Sequence, residues 1–294
     1  MKEYSVHHVE ISAAEGPGPA ELSKEIAGLE YPAILGANNT APDGWGLSYW
    51  CFEPAEIFEA VTESSNPLQR FSECLAKRRL RKEFTGKQKT HFFGGWVGYL
   101  SYDLNRYIEK VEPPAKDDLG LPLVWFGFYD RVICYDHRAG KFILYALCCD
   151  GESPEEKFER IRRILHRARE TVLEPIPLGG AALPNEFRLN MPRDEYIGSV
   201  ERIKRHIYDG DVYQINFSQR FQRQFNAPPA RLHQWLSEHN PNPYSAYIDG
   251  GGFAIASASC ELFIETTGKR IHTCPIKGTR PRVLPGVPGA AEKK

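Results

Sequence analysis

Residues 261–277 read ELFIETTGKRIHTCPIK. Two short runs rich in β-branched and aromatic residues flank Gly268, which is the pattern of a β-hairpin. With a loop from Gly268 to Arg270, Thr267 pairs with Ile271, and the same register sets Glu261 opposite Lys277. Directly opposed residues share a face, with Cβ atoms about 4.5–5.5 Å apart. The hairpin therefore brings a carboxylate to an ammonium. Two readings stay open on the hairpin alone. One is a cross-strand salt bridge on a solvated surface, worth about 0.2–1 kcal/mol. The other is a lysine nucleophile with a carboxylate as its proton partner. The second needs an offset, because a lysine titrates near ~10.4 and a facing carboxylate favours the charged, non-nucleophilic form. Burial, or a cation such as Arg280 or Arg282, would supply it. Pro275 cannot donate to a ladder and suits a strand end, and one residue more or less in the loop shifts every pair.

Working outward, the other strands alternate or run apolar: GLSYWCFE, GGWVGYLSYD, LVWFGFYDRVICYD, KFILYALCC, DVYQINFSQRF, YSAYID and FAIASAS. In DVYQINFSQRF, Tyr213, Ile215, Phe217 and Phe221 share one face and Gln214, Asn216, Ser218 and Arg220 the other, as in a strand lining a polar cleft. Helices are predicted at SNPLQRFSECLAKRRL, with Asn66 as cap and Pro67 as first residue, and at SPEEKFERIRRILHRARETVL, with Ser153 and Pro154 in those roles. PRDEYIGSVERIKRHIYDG ends at Gly210, and ARLHQWLSEHN is a shorter candidate. Many strands with a few helices, and no regular βαβ spacing, give an α+β fold. The Pro-, Gly- and Ala-rich stretch 173–187 is the boundary candidate. It divides the chain into domains 1–185 and 186–294.

At 294 residues and a formal net charge of −1, the chain is large enough for a substantial core and lacks the positive excess of a general nucleic-acid binder. The seven basic residues between Lys77 and Lys89 read as the solvated end of a helix. No run reaches the ~20 apolar residues of a membrane span, and the N-terminus has no apolar signal core. Seven cysteines, odd in number and without CxxC spacing, read as reduced thiols of a cytoplasmic protein. The GGWVG run does not fit a nucleotide-loop spacing. His7-His8 and Cys148-Cys149 point to opposite faces of a strand and do not chelate.

Four motifs, MPRDEYIGSVERIKRHIYDGDVYQINFSQRF, NPNPYSAYID, SASCELF and PIKGTRPR, stand in the order and spacing of the chorismate-utilising enzymes, and FFGGWVGYLSYDL is similar to the N-terminal domain of some members. The chain thus resembles the family of anthranilate synthase component I, aminodeoxychorismate synthase component I and isochorismate synthase. The resemblance implies a β-sheet-rich fold with flanking helices. Residues 1–185 then form the anthranilate synthase component I-like N-terminal domain, and 186–294 the first part of the chorismate-binding catalytic domain. Anthranilate synthases carry alanine in the PI-x-GT position where this chain carries Lys277, which points to the aminodeoxychorismate synthase branch.

In that branch the lysine attacks C2 of chorismate as the C4 hydroxyl leaves, and ammonia from a glutamine amidotransferase partner then attacks C4, on the way to p-aminobenzoate and folate. The resemblance assigns general acid/base work to Glu261 and sets Gly278 and Thr279 against the substrate. It makes Pro243 and Tyr244 one wall of a tryptophan cavity, whose other wall is ILGANN (34–39) in place of the family's LLES. It implies Mg²⁺, whose ligands are expected beyond residue 294. The usual SPERF reads SCELF here, with Cys260 for proline and Leu262 for arginine, and keeps the glutamate. Anthranilate synthase is the alternative reaction, and a non-catalytic remnant the alternative class. Family members continue well past PIKGT, so residues 1–294 alone are expected to be incomplete at the C-terminus, poorly stable and close to inactive. A cooperative thermal melt together with steady chorismate turnover overturns that expectation.

Overall fold

The computed structural model describes residues 1–36, 46–61, 65–81, 91–111, 117–174 and 187–276. Lys277, Gly278 and Thr279 lie outside the described residues, as do 37–39 of the ILGANN segment, 82–89 of the basic run and 175–186 of the boundary stretch. In chain order the strands and helices are β1 (Lys2–Ser12), α1 (Pro19–Ile26), β2 (Ala33–Leu35), β3 (Leu47–Cys51), β4 (Glu56–Ala60), α2 (Pro67–Ala76), β5 (Arg78–Leu80) and β6 (Gly95–Leu100). Then come β7 (Val124–Tyr129), β8 (Arg131–Asp136), β9 (Lys141–Cys148), α3 (Pro154–Arg169), β10 (Arg188–Leu189), α4 (Arg193–Asp209) and β11 (Phe221–Gln222). The last are α5 (Pro229–His239), β12 (Tyr244–Asp249), β13 (Ala254–Ser259), β14 (Leu262–Thr267) and β15 (Arg270–Cys274). The class is α+β, as the mixed pattern requires. Packing groups Met1–Glu174 with Pro229–Lys294 in one compact unit and Pro175–Pro228 in a second.

The larger unit is built on an eight-stranded sheet in the order β13-β12-β2-β3-β8-β9-β1-β5, beside a three-stranded sheet β4-β7-β6. Strand β9, KFILYALC, is buried along nearly its whole length. Its unbroken apolar run follows from cover on both faces. Phe142, Leu144 and Ala146 join Phe158, Ile161, Ile164 and Leu165 of α3 and Leu22 and Ile26 of α1 in one cluster. Ile143 and Tyr145 belong to a second cluster with Val97, Trp125 and Tyr129 of the smaller sheet. The period-two alternation is intact, and each parity meets a different layer. Trp50 sits in the helix-side cluster and donates its indole N–H to Ser23 Oγ at 2.9 Å, while the Ser23 hydroxyl donates to the Pro19 carbonyl at 2.8 Å. The buried polar atom is thereby satisfied through α1. At Gly98 the strands approach so closely that a Cβ would lie 1.9 Å from the Trp125 carbonyl oxygen.

The helix signals hold. Asn66 Oδ1 accepts from the N–H groups of Leu68 and Gln69, and Pro67 opens α2. Gly210 closes α4 in the left-handed region at φ 82°. In the second unit DVYQINFSQRF does not form the expected strand. Only Phe221 of that stretch joins a ladder, in the two-residue pairing of β10 with β11. Tyr213, Ile215 and Phe221 are exposed, because among the described residues no strand ladder extends over 211–220. No helix among the described residues is long and apolar enough to cross a membrane, and all seven cysteines are free thiols.

His233 on α5 is 3% exposed and stacks near Tyr247, with ring centroids 5.6 Å apart. Its Nδ1 has no hydrogen-bond partner among the described residues. Burial pushes its pKa down to about 4, so the folded chain keeps it neutral while an unfolded chain protonates it near ~6.5. Stability is therefore full above that range and falls as pH drops toward about 4, by about 3 kcal/mol from this group. Urea unfolding between pH 7 and pH 4.5 is expected to show this loss, and His233→Leu to flatten that part of the profile.

Candidate functional site

Strands β14 and β15 form the predicted hairpin, but in a different register. The loop holds two residues, Gly268 and Lys269. Thr267 pairs with Arg270, Thr266 with Ile271 and Glu265 with His272, and an irregularity then brings Leu262 opposite Cys274. Gly268 stands at φ 59°, which explains why the shorter loop is available: glycine at the first loop position takes a conformation that other residues adopt poorly. The predicted three-residue loop and the Thr267–Ile271 pairing are thus corrected; Lys277, which that register set opposite Glu261, lies outside the described residues. Glu261 precedes β14 and is exposed. Its N–H donates to Ser259 Oγ at 3.4 Å, and the Ser259 hydroxyl donates to its carbonyl at 3.2 Å. The hairpin carries apolar side chains outward, with Phe263 83% and Ile271 74% exposed.

Pro243 and Tyr244, at the head of β12, line an open cleft of about 670 Å³ together with Leu35 and Gly36 at the end of β2. The register explains the meeting: Ala246 pairs with Leu35, and the Gly36 N–H donates to the Ser245 carbonyl at 2.8 Å. Aromatic walls come from Tyr49, Phe92, Trp96 and Phe126, and Glu265 of the hairpin closes one side. The Tyr49 hydroxyl accepts the Phe92 N–H at 3.2 Å, and burial drives its pKa far above the usual tyrosine range. His91 Nδ1 lies 2.9 Å from the Tyr145 hydroxyl, and burial lowers its pKa. Ser245 Oγ, in a residue 2% exposed, and Trp96 Nε1 are buried without a hydrogen-bond partner among the described residues. The aromatic walls suit a small ligand that carries a ring.

Ser245, Trp96, His91 and Glu265 were not legible as site residues. They come from separate strands and a loop, and no spacing in the chain joins them. Among the described residues no group of three or more His, Cys, Asp or Glu could hold a metal ion. They do not fit a Mg²⁺ site.

The sequence profile of the chorismate binding enzymes matches residues 36–285. The chain belongs to this family. Aminodeoxychorismate synthase component 1 of Bacillus subtilis (strain 168) is 32% identical over 230 residues, covering 76% of this chain and 47% of that protein. Anthranilate synthase component 1 of Thermus thermophilus is 36% identical over 197 residues, covering 65% and 40%. The crystal structure of anthranilate synthase component I from Streptococcus pneumoniae TIGR4 superposes with a TM-score of 0.58 at 22% identity, over 77% of this chain and 52% of that one. This likeness carries the fold. The chain spans about half the length or less of these relatives. As a chorismate binding enzyme it matches relatives named for two different reactions.

The hairpin register has a direct test. In a two-residue hairpin the pair 266/271 is the close, non-hydrogen-bonded one. Air oxidation of a Thr266→Cys/Ile271→Cys chain is expected to join the two new cysteines, and that of a Thr267→Cys/Ile271→Cys chain to leave them apart. Peptide mapping reads the result, and the reverse outcome restores the three-residue loop.

Proposed function

We propose that this chorismate binding enzyme aminates chorismate to 4-amino-4-deoxychorismate, with ammonia from a glutamine amidotransferase subunit. The observation that carries the reading is Lys277, in the PI-x-GT position of a chain that belongs to this family. The similarity to the Bacillus subtilis aminodeoxychorismate synthase component 1 supports it.

In this reading the unprotonated Nζ of Lys277 forms a bond to C2 of chorismate while the bond from C4 to its hydroxyl breaks. Glu261 gives the leaving oxygen its proton. Ammonia then bonds to C4 as the lysine leaves C2, and the amine's surplus proton returns to the carboxylate. Gly278 lets the backbone come close to the substrate, and the Thr279 hydroxyl binds one of its oxygens. No step here runs through Mg²⁺. Anthranilate synthase is the competing chemistry, favoured by the Thermus thermophilus relative, and the alanine it would need is absent at position 277. The cleft bounded by Pro243 and Tyr244 supports a second assignment, a seat for tryptophan: its walls are aromatic.

Incubation with chorismate and an ammonium salt is expected to yield 4-amino-4-deoxychorismate, identified by chromatography against a standard. Glu261→Gln is expected to lower the rate by about 10²–10⁴-fold, and Lys277→Ala to lower it at least as much. Anthranilate as the product would move the chain to the other branch, and no product from the unaltered chain would favour the non-catalytic reading.

A further inference from the structure

Opposite Glu265 in the hairpin ladder stands His272. The two side chains meet there, His272 Nδ1 lying 3.5 Å from Glu265 Oε2. The other ring nitrogen, Nε2, lies 3.4 Å from the Sγ of Cys274. The pleat accounts for this contact, since residues 272 and 274 share one face of β15. The Tyr244 phenol is a neighbour of the same sulfur. Carboxylate, imidazole and thiol thus stand in series, and the phenol is a second polar neighbour of the sulfur.

The series has the form of a proton relay. Its members are strung in a line, and the described residues hold no cluster suited to a metal. With the carboxylate on its Nδ1 side, the tautomer that carries its proton on Nδ1 leaves Nε2 as an acceptor facing the thiol, which is the arrangement that activates a cysteine nucleophile. Cys274 is also partly exposed and can be reached. Cys51 and Cys134, in contrast, are buried, and burial pushes both thiols up. Cysteines of that kind are inert.

We propose that Cys274 is a reactive thiol that exchanges with low-molecular-weight disulfides, with His272 as its proton acceptor and Glu265 holding the imidazole in place. His272 Nε2 takes the Sγ proton, and the thiolate attacks one sulfur of the disulfide. The Cys274–sulfur bond forms as the disulfide's own bond breaks, and the departing thiolate takes the proton back from His272. The incoming disulfide is the only oxidant. The product carries a bulky group three residues before Lys277 and beside Glu265, which lines the cleft. Where the amination reading holds, on which this last consequence rests, the mixed disulfide shuts off turnover and a reducing thiol restores it.

The test uses the full 294-residue chain with glutathione disulfide in excess, and peptide mass mapping follows each cysteine with time. Cys260, exposed on the residue before Glu261, is the internal comparator. Cys274 is expected to form its mixed disulfide about tenfold faster than Cys260 at pH 7. His272→Gln is expected to remove most of that advantage and Glu265→Gln part of it, with the Cys260 rate unchanged and Cys51 and Cys134 unreacted. Equal rates at Cys274 and Cys260, or a Cys274 rate indifferent to His272→Gln, would overturn the proposal. If a variant exposes its buried cysteines, the ratio in the unaltered chain still decides. None of these readouts requires turnover, so failure of the amination reading leaves them interpretable.

Discussion

Burial of β9 from both sides is the constraint on which the rest of the larger unit depends. A strand with a single apolar face can leave the other in water, but Phe142 through Cys148 are buried at every position. One parity demands helices and the other demands a second sheet. Helices α1 and α3 supply the first cover, and the β4-β7-β6 sheet the second. The helix cover is also pinned by charge. Arg160 of α3 hydrogen-bonds Glu53, which Arg131 also approaches, and Lys157 reaches Asp130 at 2.6 Å. The hydrogen bond from Arg160, before the neighbouring charges, holds the Glu53 carboxyl below its ordinary pKa. The pair is partly shielded from water, so it fixes the position of α3 more than a surface pair could.

The cleft is a by-product of that layering. The smaller sheet covers only part of the larger one, and where the cover ends, β2, β3 and β12 present one wall while Trp96 and Phe126 present another. The hairpin then reaches across with Glu265. Because two sheets, a loop and the hairpin contribute, the cleft's polar atoms arrive from unrelated places in the chain. Ser245 Oγ and Trp96 Nε1 are buried without partners among the described residues, at a cost on the order of 1–3 kcal/mol each.

What the sequence disclosed, and what it hid, divides along the range of the forces involved. The caps at Asn66 and Gly210, the proline at the head of α2 and α3, and the alternation of β8 and β9 are local, and they were legible. DVYQINFSQRF carried an equally clear alternation yet forms no strand over 211–220, because a strand exists only through partners and the pattern does not say whether partners are present. The hairpin was legible as a hairpin, but its register turned on one residue of loop length. Strand β1 was missed because its exposure pattern is broken by two histidines and two glutamates within KEYSVHHVEIS, and its place is fixed by pairing with β9 on one edge and β5 on the other. Of the candidate site, Pro243 and Tyr244 line a cleft with the end of β2, and motifs rather than spacing drew attention to them. The Cys274–His272–Glu265 series required the ladder itself.

The corrected register bears on the chemistry proposed for Lys277. A lysine acts as a nucleophile only after losing its proton, and a carboxylate locked opposite it on a ladder would hold that proton in place. The sequence reading contained this conflict, since it set Glu261 directly against position 277. In the observed register Glu261 has left the ladder before β14 begins, and its backbone is tethered by Ser259 on both the N–H and the carbonyl side. A group so placed is anchored by its main chain. Such anchoring suits a residue that must deliver a proton to a leaving hydroxyl and later accept one from an incoming amine. Such a task requires both protonation states in turn, and a permanent ion pair would favour only one of them.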